Sequence, residues 1–338
     1  MTVSVESSRF DRWRSATLAP FEHRAFALFW WASLASSFGS MIQTVGASWL
    51  MATIAPSPNQ VALVQTANAL PYFFLSLFAG ALADTRDRRS IMLVSQVLAL
   101  LASVALAVVA LAGGITPWLL LGLTFLIGCG AALFAPAWQA SIGDQVPRAQ
   151  IAPAVMANAV GFNLARSVGP AIGGVIVAAV GAAAAFIVNA VSYIGIIATL
   201  LWWRPKRLPS DLPPEPLGAA MAAGLRYVSL SPHLLAILLR CTLYTIPIAA
   251  VPALMPIVAR DLLGGGATTF GILLGGFGVG AMLGALSSAT LRHRFSSDTL
   301  LRILSALACV AMIGIGQSRW AAVTLLAHVL AGSVWTLA

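Results

Sequence analysis

The chain alternates between long apolar stretches and short polar ones, with few charges inside the apolar stretches. An α-helix needs roughly 20 apolar residues to cross the hydrocarbon core of a bilayer, and the apolar stretches reach about that length. The pattern therefore predicts ten membrane-spanning helices after a polar tail, residues 1–24. These predicted spans cover residues 25–53, 61–83, 90–112, 116–138, 151–180, 183–203, 234–259, 268–290, 299–317 and 320–338.

Composition supports a membrane protein. Hydrophobic residues make up 59% of the 338 positions and charged residues only 9%, whereas a soluble domain carries roughly 25% charged residues. We therefore expect an all-α polytopic membrane protein in contact with the lipid bilayer. The net charge of +9 does not indicate nucleic-acid binding, because the basic residues lie in short loops and form no surface that a duplex could reach.

The basic loops predict an orientation. Lys and Arg in short loops resist translocation, so the side with most of them is cytoplasmic. Only Arg260 and Arg319 fall on the other side. The first apolar run, residues 25–53, far exceeds a signal-peptide h-region of about 7–15 residues. We expect a multi-pass protein of the bacterial inner membrane with a cytoplasmic N-terminus. The residues on the cytoplasmic side are the N-terminal arginines, Arg86, Arg88, Arg89, Arg148, Arg204, Lys206, Arg207, Arg226, Arg292 and Arg294.

A linker divides the spans into two unequal sets. Residues 204–232 begin with a Pro-rich stretch, and the second part, GAAMAAGLRYVSLSP, predicts a short amphipathic helix on the membrane surface. We expect a six-helix N-terminal half, residues 25–203, and a four-span C-terminal half, residues 233–338.

The turn after the second predicted span carries five charges in six positions, which excludes it from hydrocarbon. Its pattern, G-x-x-x-D followed by basic residues, is formed by Gly80, Asp84, Arg88 and Arg89. It resembles the loop after the second helix of major facilitator superfamily transporters, although Thr85 and Asp87 depart from the family pattern. The alternative is an ordinary cytoplasmic turn that obeys the positive-inside rule.

Further stretches resemble one branch of that superfamily, the drug and siderophore exporters that include the enterobactin exporter. They are SSFGSMIQTVGASWL in the first span, ALPYFFLSLFAGALADTRDRR across the second, ALFAPAWQASIGDQVPR in the fourth and GFNLARSVGPAIGG in the fifth. The resemblance implies the major facilitator fold. Members normally have twelve spans, so we expect the C-terminal half of this chain to be incomplete, truncated after the tenth span.

The resemblance implies a secondary active transporter that exports a small amphipathic organic molecule, a drug or siderophore, by alternating access. It also implies a monomer whose first, fourth, seventh and tenth spans line a central cavity. An importer of the same fold and a non-transporting scaffold or sensor remain alternatives. The cavity candidates are Ser40, Gln43, Trp49, Trp138, Tyr244, Thr245 and Trp335.

The same resemblance pairs the loop with the fourth span. It implies a salt bridge between Asp144 and the basic cluster, most directly at Arg88, that stabilises the outward-facing state. A faint repeat links the halves, because Gly80 with Arg88 eight residues later recurs as Gly284 with Arg292. Duplicated halves are a common construction in transporters.

Small residues form stripes on two spans. In the fifth span they recur every four residues, ending in Gly169 and Gly173, and Gly276, Gly280 and Gly284 repeat this spacing in the eighth. Residues four apart share a helix face, so we expect the two stripes to meet and join the halves. Gly169-Pro170 and Gly173-Gly174 would also bend or thin the fifth helix. Ordinary tight bundle packing is the alternative.

Arg166 lies midway along the fifth span, where an unpaired charge is costly. It is a candidate substrate or anion contact, or a structural residue bonded to helix carbonyls or to Asn163 and Asn189. His328 in the tenth span is a candidate proton carrier or a hydrogen-bonded packing residue. The predicted spans contain no Asp or Glu, so coupling to protons stays open.

The sequence offers no enzyme chemistry. Cys129, Cys241 and Cys309 each stand alone in an apolar segment, so we expect reduced, buried thiols and no metal site. The four histidines are scattered, and no hydrolase, metalloprotease or phosphate-binding motif occurs. We expect no cofactor and no catalytic residues.

Overall fold

The computed structural model describes residues 18–205 and 217–337. The first part of the tail and most of the Pro-rich linker therefore lie outside the described residues. Within them the chain forms eleven α-helices joined by short turns. The helices are α1 Arg24–Ile54, α2 Pro58–Thr85, α3 Arg88–Leu111, α4 Pro117–Ser141, α5 Ile151–Val180, α6 Ala182–Trp202, α7 Leu217–Ser229, α8 Pro232–Ile257, α9 Ala267–Arg294, α10 Ser297–Gln317 and α11 Ala321–Leu337.

Local sequence sets several of the helix ends. Pro58, Pro117 and Pro232 each stand in the first turn of a helix, where a missing N–H costs no hydrogen bond. Asp87 caps α3 by accepting from the backbone N–H of Ser90. Gly181 ends α5 with φ of 93°, a conformation that favours glycine. Asp87, which departs from the family pattern, thus has a local structural role.

The helices coincide with the predicted spans to within a few residues at their ends, and they confirm the all-α polytopic fold. Nine helices of the described part are long and apolar enough to cross a membrane. The tenth predicted span is the helix α11, which has 17 described residues. Large apolar side chains such as Trp31 and Phe73 stand exposed on the outer surface, as lipid-facing residues do.

Helix direction places most basic side chains at one end of the bundle. The start of α1, the turn between α2 and α3, and the end of α9 all lie there. We call this end the basic face, defined by Arg24, Arg88, Arg148 and Arg292. The opposite face contains the turns after α1, α3, α5, α8 and α10.

The two sets of helices are joined near the opposite face. One apolar core contains Val45 of α1 and Val177 of α5 together with Met255 of α8 and Phe270 of α9. The rings of Trp49 and Phe270 stack at 6.4 Å. Arg260, just after α8, donates a hydrogen bond to the carbonyl of Ala52. The halves are therefore closed against each other at this face.

The two small-residue stripes do not face each other, so the expected pairing is wrong. In α5, a Cβ on Gly169 would meet Met41, and one on Gly173 would meet Ile42. That stripe packs on α1, inside the N-terminal half. In α9, Gly276, Gly280 and Gly284 pack on α11, against Leu325, Val329 and Ser333. Each stripe therefore tightens its own half.

The close contact between α5 and α9 uses the neighbouring faces of both helices. A Cβ on Gly174 would lie 2.7 Å from the carbonyl oxygen of Ala267 and 3.0 Å from the Cα of Gly271. Gly275 and Gly278 of α9 lie equally close to the backbone of α5 around Ser167. Backbone approach of this kind is typical of small-residue interfaces in membranes. Gly174, which was expected only to bend or thin the fifth helix, lies in this contact.

Two of the three thiols are not buried. Cys241 and Cys309 are exposed on the surfaces of α8 and α10, and Cys129 is half-buried. All three are free. The expected burial is therefore wrong for Cys241 and Cys309, because apolar segments of a spanning helix also face lipid.

Candidate transport cavity

A cavity of about 530 Å³ penetrates the N-terminal half. Ser40 of α1, Tyr72 of α2 and Trp138 of α4 lie in its wall, and it reaches Gln96 of α3 and Tyr193 of α6. All six helices of this half contribute side chains. The cavity extends towards the basic face, where Ile142 and Val155 line it.

A second cavity of about 300 Å³ lies between the halves. Arg166 and Pro170 of α5 face Pro252 of α8, Phe277 of α9 and Trp335 of α11 across it. The two cavities share lining residues and therefore adjoin each other. The first extends towards the basic face, and the halves are packed together at the opposite face. The shared residues are Ser40, Met41, Tyr72, Ala131 and Phe162.

The walls are aromatic with scattered uncharged polar groups. Phe134 and Trp138 of α4 stack with centroids 6.0 Å apart and an interplanar angle of 10°. The Phe277 and Trp335 rings lie 6.3 Å apart. Arg166 is the charged residue among the described residues that line the two cavities. Such a wall suits an amphipathic organic molecule, whose apolar body needs few hydrogen bonds.

Arg166 is half-buried in the central cavity. Its Cζ lies 5.5 Å from the centroid of the Phe277 ring, a cation–π distance. The amides of Asn163 and Asn189, considered as partners, bond elsewhere: Asn163 donates to the carbonyl of Ala159 and Asn189 to Gln43. The guanidinium is therefore placed where a ligand in the cavity could contact it.

Gln43 does not line either cavity and is corrected as a cavity residue. It is 4% exposed and accepts hydrogen bonds from Ser103 and Asn189. Asn189 also donates to the hydroxyl of Tyr193 at 3.2 Å. This cluster ties α1, α3 and α6 together, since a buried amide must find partners within the bundle.

Tyr244 and His328 also lie outside the lining of both cavities. The Tyr244 hydroxyl lies 3.4 Å from the carbonyl of Val334, linking α8 to α11. His328 is fully buried within the C-terminal half, and its Nδ1 lies 2.7 Å from the carbonyl oxygen of Thr324. Both are therefore corrected as cavity residues.

The remaining candidates divide between three environments. Ser40, Trp138 and Trp335 line the cavities. Trp49 packs against Phe270 near the opposite face. Thr245 is exposed on the surface of α8.

Arg88 and Asp144 lie together at the basic face. Arg88 Nη1 lies 3.2 Å from Asp144 Oδ2, and it also donates to the carbonyl of Ala140 at 3.1 Å. Arg89 binds the carbonyl of Leu200 at 2.7 Å. The expected pairing of Arg88 with Asp144 is therefore present, and its stabilisation of the outward-facing state stays a prediction. Both partners belong to the same half.

Gly80 and Asp84 are the other two residues of the loop pattern. A Cβ on Gly80 would meet open space. The Asp84 side chain lies outside the described residues.

Several polar residues of the cavity wall were not predicted from the sequence, among them Tyr72, Gln96 and Asn158. Gln96 is 4% exposed, and neither its Oε1 nor the Nδ2 of Asn158 has a hydrogen-bond partner among the described residues. The sequence signal that could have identified them is an amide or phenol side chain inside an otherwise apolar span. Gln96 lies on α3, which was not expected to reach the cavity.

Two curated transporters are similar to this chain in sequence. The multidrug efflux pump Tap of Mycolicibacterium fortuitum is 30% identical over 280 residues, 78% of this chain and 66% of that protein. The staphyloferrin A transporter of Staphylococcus aureus is 27% identical over 176 residues, 51% of this chain and 44% of that protein. The chain thus spans between 44% and 66% of the length of these curated relatives.

A solved structure shares the fold. The bacterial homologue of the human lysosomal transporter Spinster, in an inward-facing and unoccupied conformation, superposes with a TM-score of 0.71 at 17% identity. The match covers 94% of this chain and 73% of that one. The family model described as transmembrane secretion effector matches residues 15–338. The chain therefore belongs to the transmembrane secretion effector family of the major facilitator superfamily.

Proposed function

We propose that this chain forms the translocation path of an exporter that moves a small amphipathic organic molecule, a drug or siderophore, by alternating access. The observation that carries the proposal is the pair of adjoining aromatic cavities, which extend towards the basic face while the halves are closed at the other. Its N-terminal part, about 530 Å³, falls in the size range of small-molecule sites. The relatives named as efflux pump and siderophore transporter agree with this substrate class.

The distribution of charge supports the orientation. Nearly all loop arginines lie at the basic face, so this face is cytoplasmic by the positive-inside rule. The cavity then takes up substrate from the cytoplasm of a bacterial cell. Release requires the halves to separate where Trp49 and Phe270 stack, and the basic-face ends to close.

The test measures accumulation of fluorescent dyes and ferric siderophores in cells with and without the gene that encodes this chain. Export predicts lower accumulation of at least one compound when the gene is present. Higher accumulation would indicate import, and unchanged accumulation across the panel would favour a non-transporting scaffold. Either result would overturn the proposal.

A matched pair of variants connects the activity to the cavity. Trp138→Ala removes an aromatic wall of the cavity and should abolish most of the difference in accumulation. Trp118→Ala changes a residue of the same helix that is 68% exposed on the outer surface, so transport should persist. Equal losses in both variants would indicate damage to the fold instead of the cavity.

A further inference from the structure

The guanidinium of Arg166 has an aromatic neighbour but no carboxylate neighbour among the described cavity residues. Phe277 lies on one side, 5.5 Å from the Cζ, and the residues around both cavities contribute no Asp or Glu within the described part. A charge at this depth in a membrane is costly and usually marks function. Since Arg stays protonated, the central cavity contains a fixed positive charge.

The backbone around Arg166 is held at the close contact of the two halves. A Cβ on Gly278 would lie 2.8 Å from the carbonyl carbon of Arg166, so α9 packs directly on this turn of α5. The Cα of Arg166 is thus fixed by helix packing beside the central cavity. A side chain on a packed helix is positioned better than one on a loop.

The N-terminal cavity has the opposite character, being neutral and aromatic. Its stacked pair, Phe134 and Trp138, offers flat apolar surface. The Oε1 of Gln96 and the Nδ2 of Asn158 are buried without partners among the described residues. Both atoms are closed off from the cavity surface, so this region presents mainly apolar ring surface to a bound molecule.

The two regions adjoin at Ser40, Tyr72 and Phe162, which line both. The arrangement suits a single molecule with a planar body in the N-terminal cavity and a charged end at Arg166. Resting on the proposed export function, we propose that the substrates are aromatic organic anions, with a carboxylate or similar group bound by Arg166. Cationic aromatic compounds are disfavoured by the same guanidinium.

The experiment compares three probes that share one ring system and differ in charge: 2-naphthoate, 2-naphthamide and 2-naphthylmethylammonium. Binding to the purified chain is measured by equilibrium dialysis in zwitterionic phosphatidylcholine vesicles, so that no anionic lipid headgroup can occupy Arg166. The naphthoate should bind at least tenfold more tightly than the amide, and the cation should bind most weakly. Equal affinities, a preference for the cation, or no binding of the naphthoate would overturn the inference.

Variants assign the charge preference to one side chain. Arg166→Gln should bring the naphthoate affinity to that of the amide and leave amide binding within about twofold of the parent protein. Arg166→Lys retains the charge and should restore part of the preference, which separates electrostatics from misfolding. Arg302→Gln, an exposed residue of α10, should change nothing. An unchanged naphthoate preference in Arg166→Gln would remove Arg166 from the site.

Failure of this inference differs from failure of export. A chain that exports cationic dyes and prefers the cationic probe remains an exporter with a different substrate class. A chain that binds the naphthoate through Arg166 but changes no accumulation is an anion-binding protein, and the proposed export is then wrong.

A last experiment repeats the naphthoate binding measurement in vesicles that also contain phosphatidylglycerol. Loss of naphthoate binding there would show that a lipid headgroup is the ligand of Arg166, and would overturn its role as a substrate contact.

Discussion

Substituting Gly174 with alanine should shift the chain towards a conformation open at the opposite face. The added Cβ would lie 2.7 Å from the carbonyl oxygen of Ala267 and 3.1 Å from the Cα of Thr268. All of its nearest neighbours are backbone atoms of α9, which cannot rotate away as a side chain can. The helices α5 and α9 must therefore separate to admit one methyl group.

The size of the effect follows from this overlap. Carbon and carbonyl oxygen ordinarily approach to about 3.3 Å, so the Cβ lies roughly 0.6 Å too close. Overpacking of this kind costs about 1–3 kcal/mol. If the halves part at this contact during alternating access, the cost falls only on the closed conformation. About 2 kcal/mol changes the population ratio roughly 30-fold, enough to raise an open form from roughly 1% to roughly a quarter.

Distances between spin labels measure this shift. Gly114 and Arg319 are exposed in turns of the opposite face, one in each half. Labels there, after replacement of the three cysteines, should show a longer distance component in Gly174→Ala. Gly271→Ala approaches the same contact from α9, where its Cβ would lie 3.0 Å from the Gly174 nitrogen, and should act in the same direction.

The control is Gly161→Ala on the same helix. Its Cβ would lie 3.4 Å from the ring of Trp30, an ordinary contact within one half, so the label distances should stay those of the parent. The reasoning is refuted if Gly174→Ala gives the parent distances while folding normally. It is also refuted if Gly161→Ala opens the face equally.

Three further outcomes are expected. Asp144→Asn should lower the free energy of unfolding by no more than about 1 kcal/mol, because the pair with Arg88 is partly exposed; a calorimetric loss several times larger would contradict this. Asn189→Ala should cost about 1–3 kcal/mol in thermal unfolding by leaving buried partners unsatisfied, whereas Asn163→Ala, whose amide bonds its own helix, should cost little. Arg260→Gln removes the hydrogen bond across the closed face, and the same label pair should report a broader distance distribution.

Hydropathy was sufficient to predict the helices, because lipid forces each spanning segment to satisfy its backbone hydrogen bonds internally. It does not specify how a helix is rotated about its axis relative to its neighbours. The spacing of Gly169 and Gly173 correctly indicated one small face, but that face meets α1, and the next residue, Gly174, meets α9. Helix pairing therefore had to come from the structure.

The unknown rotation of each helix also explains why polar residues were wrongly placed in the cavity or overlooked there. Gln43 was expected in the cavity because it is a polar residue of the first span, which the resemblance implies lines the cavity, yet it bonds to Ser103 and Asn189 on two other helices. Gln96 escaped notice although its Oε1 has no partner among the described residues. Sequence reveals that a buried amide needs satisfaction, and only packing reveals whether protein or ligand provides it.

The arginines of the faint repeat give a physical reason for its recurrence. Arg88 donates to the carbonyl of Ala140 near the end of α4, at 3.1 Å, and Arg292 donates to the carbonyl of Leu337, the last described residue of α11, at 3.2 Å. Each binds a carbonyl of the fourth spanning helix of its own half. At the end of α4 such carbonyls lack intrahelical partners and carry the negative end of the helix, so a cation there is stabilising. The shared glycine-to-arginine spacing therefore corresponds to one structural task, performed once in each half, and Asp144 adds to it on one side only.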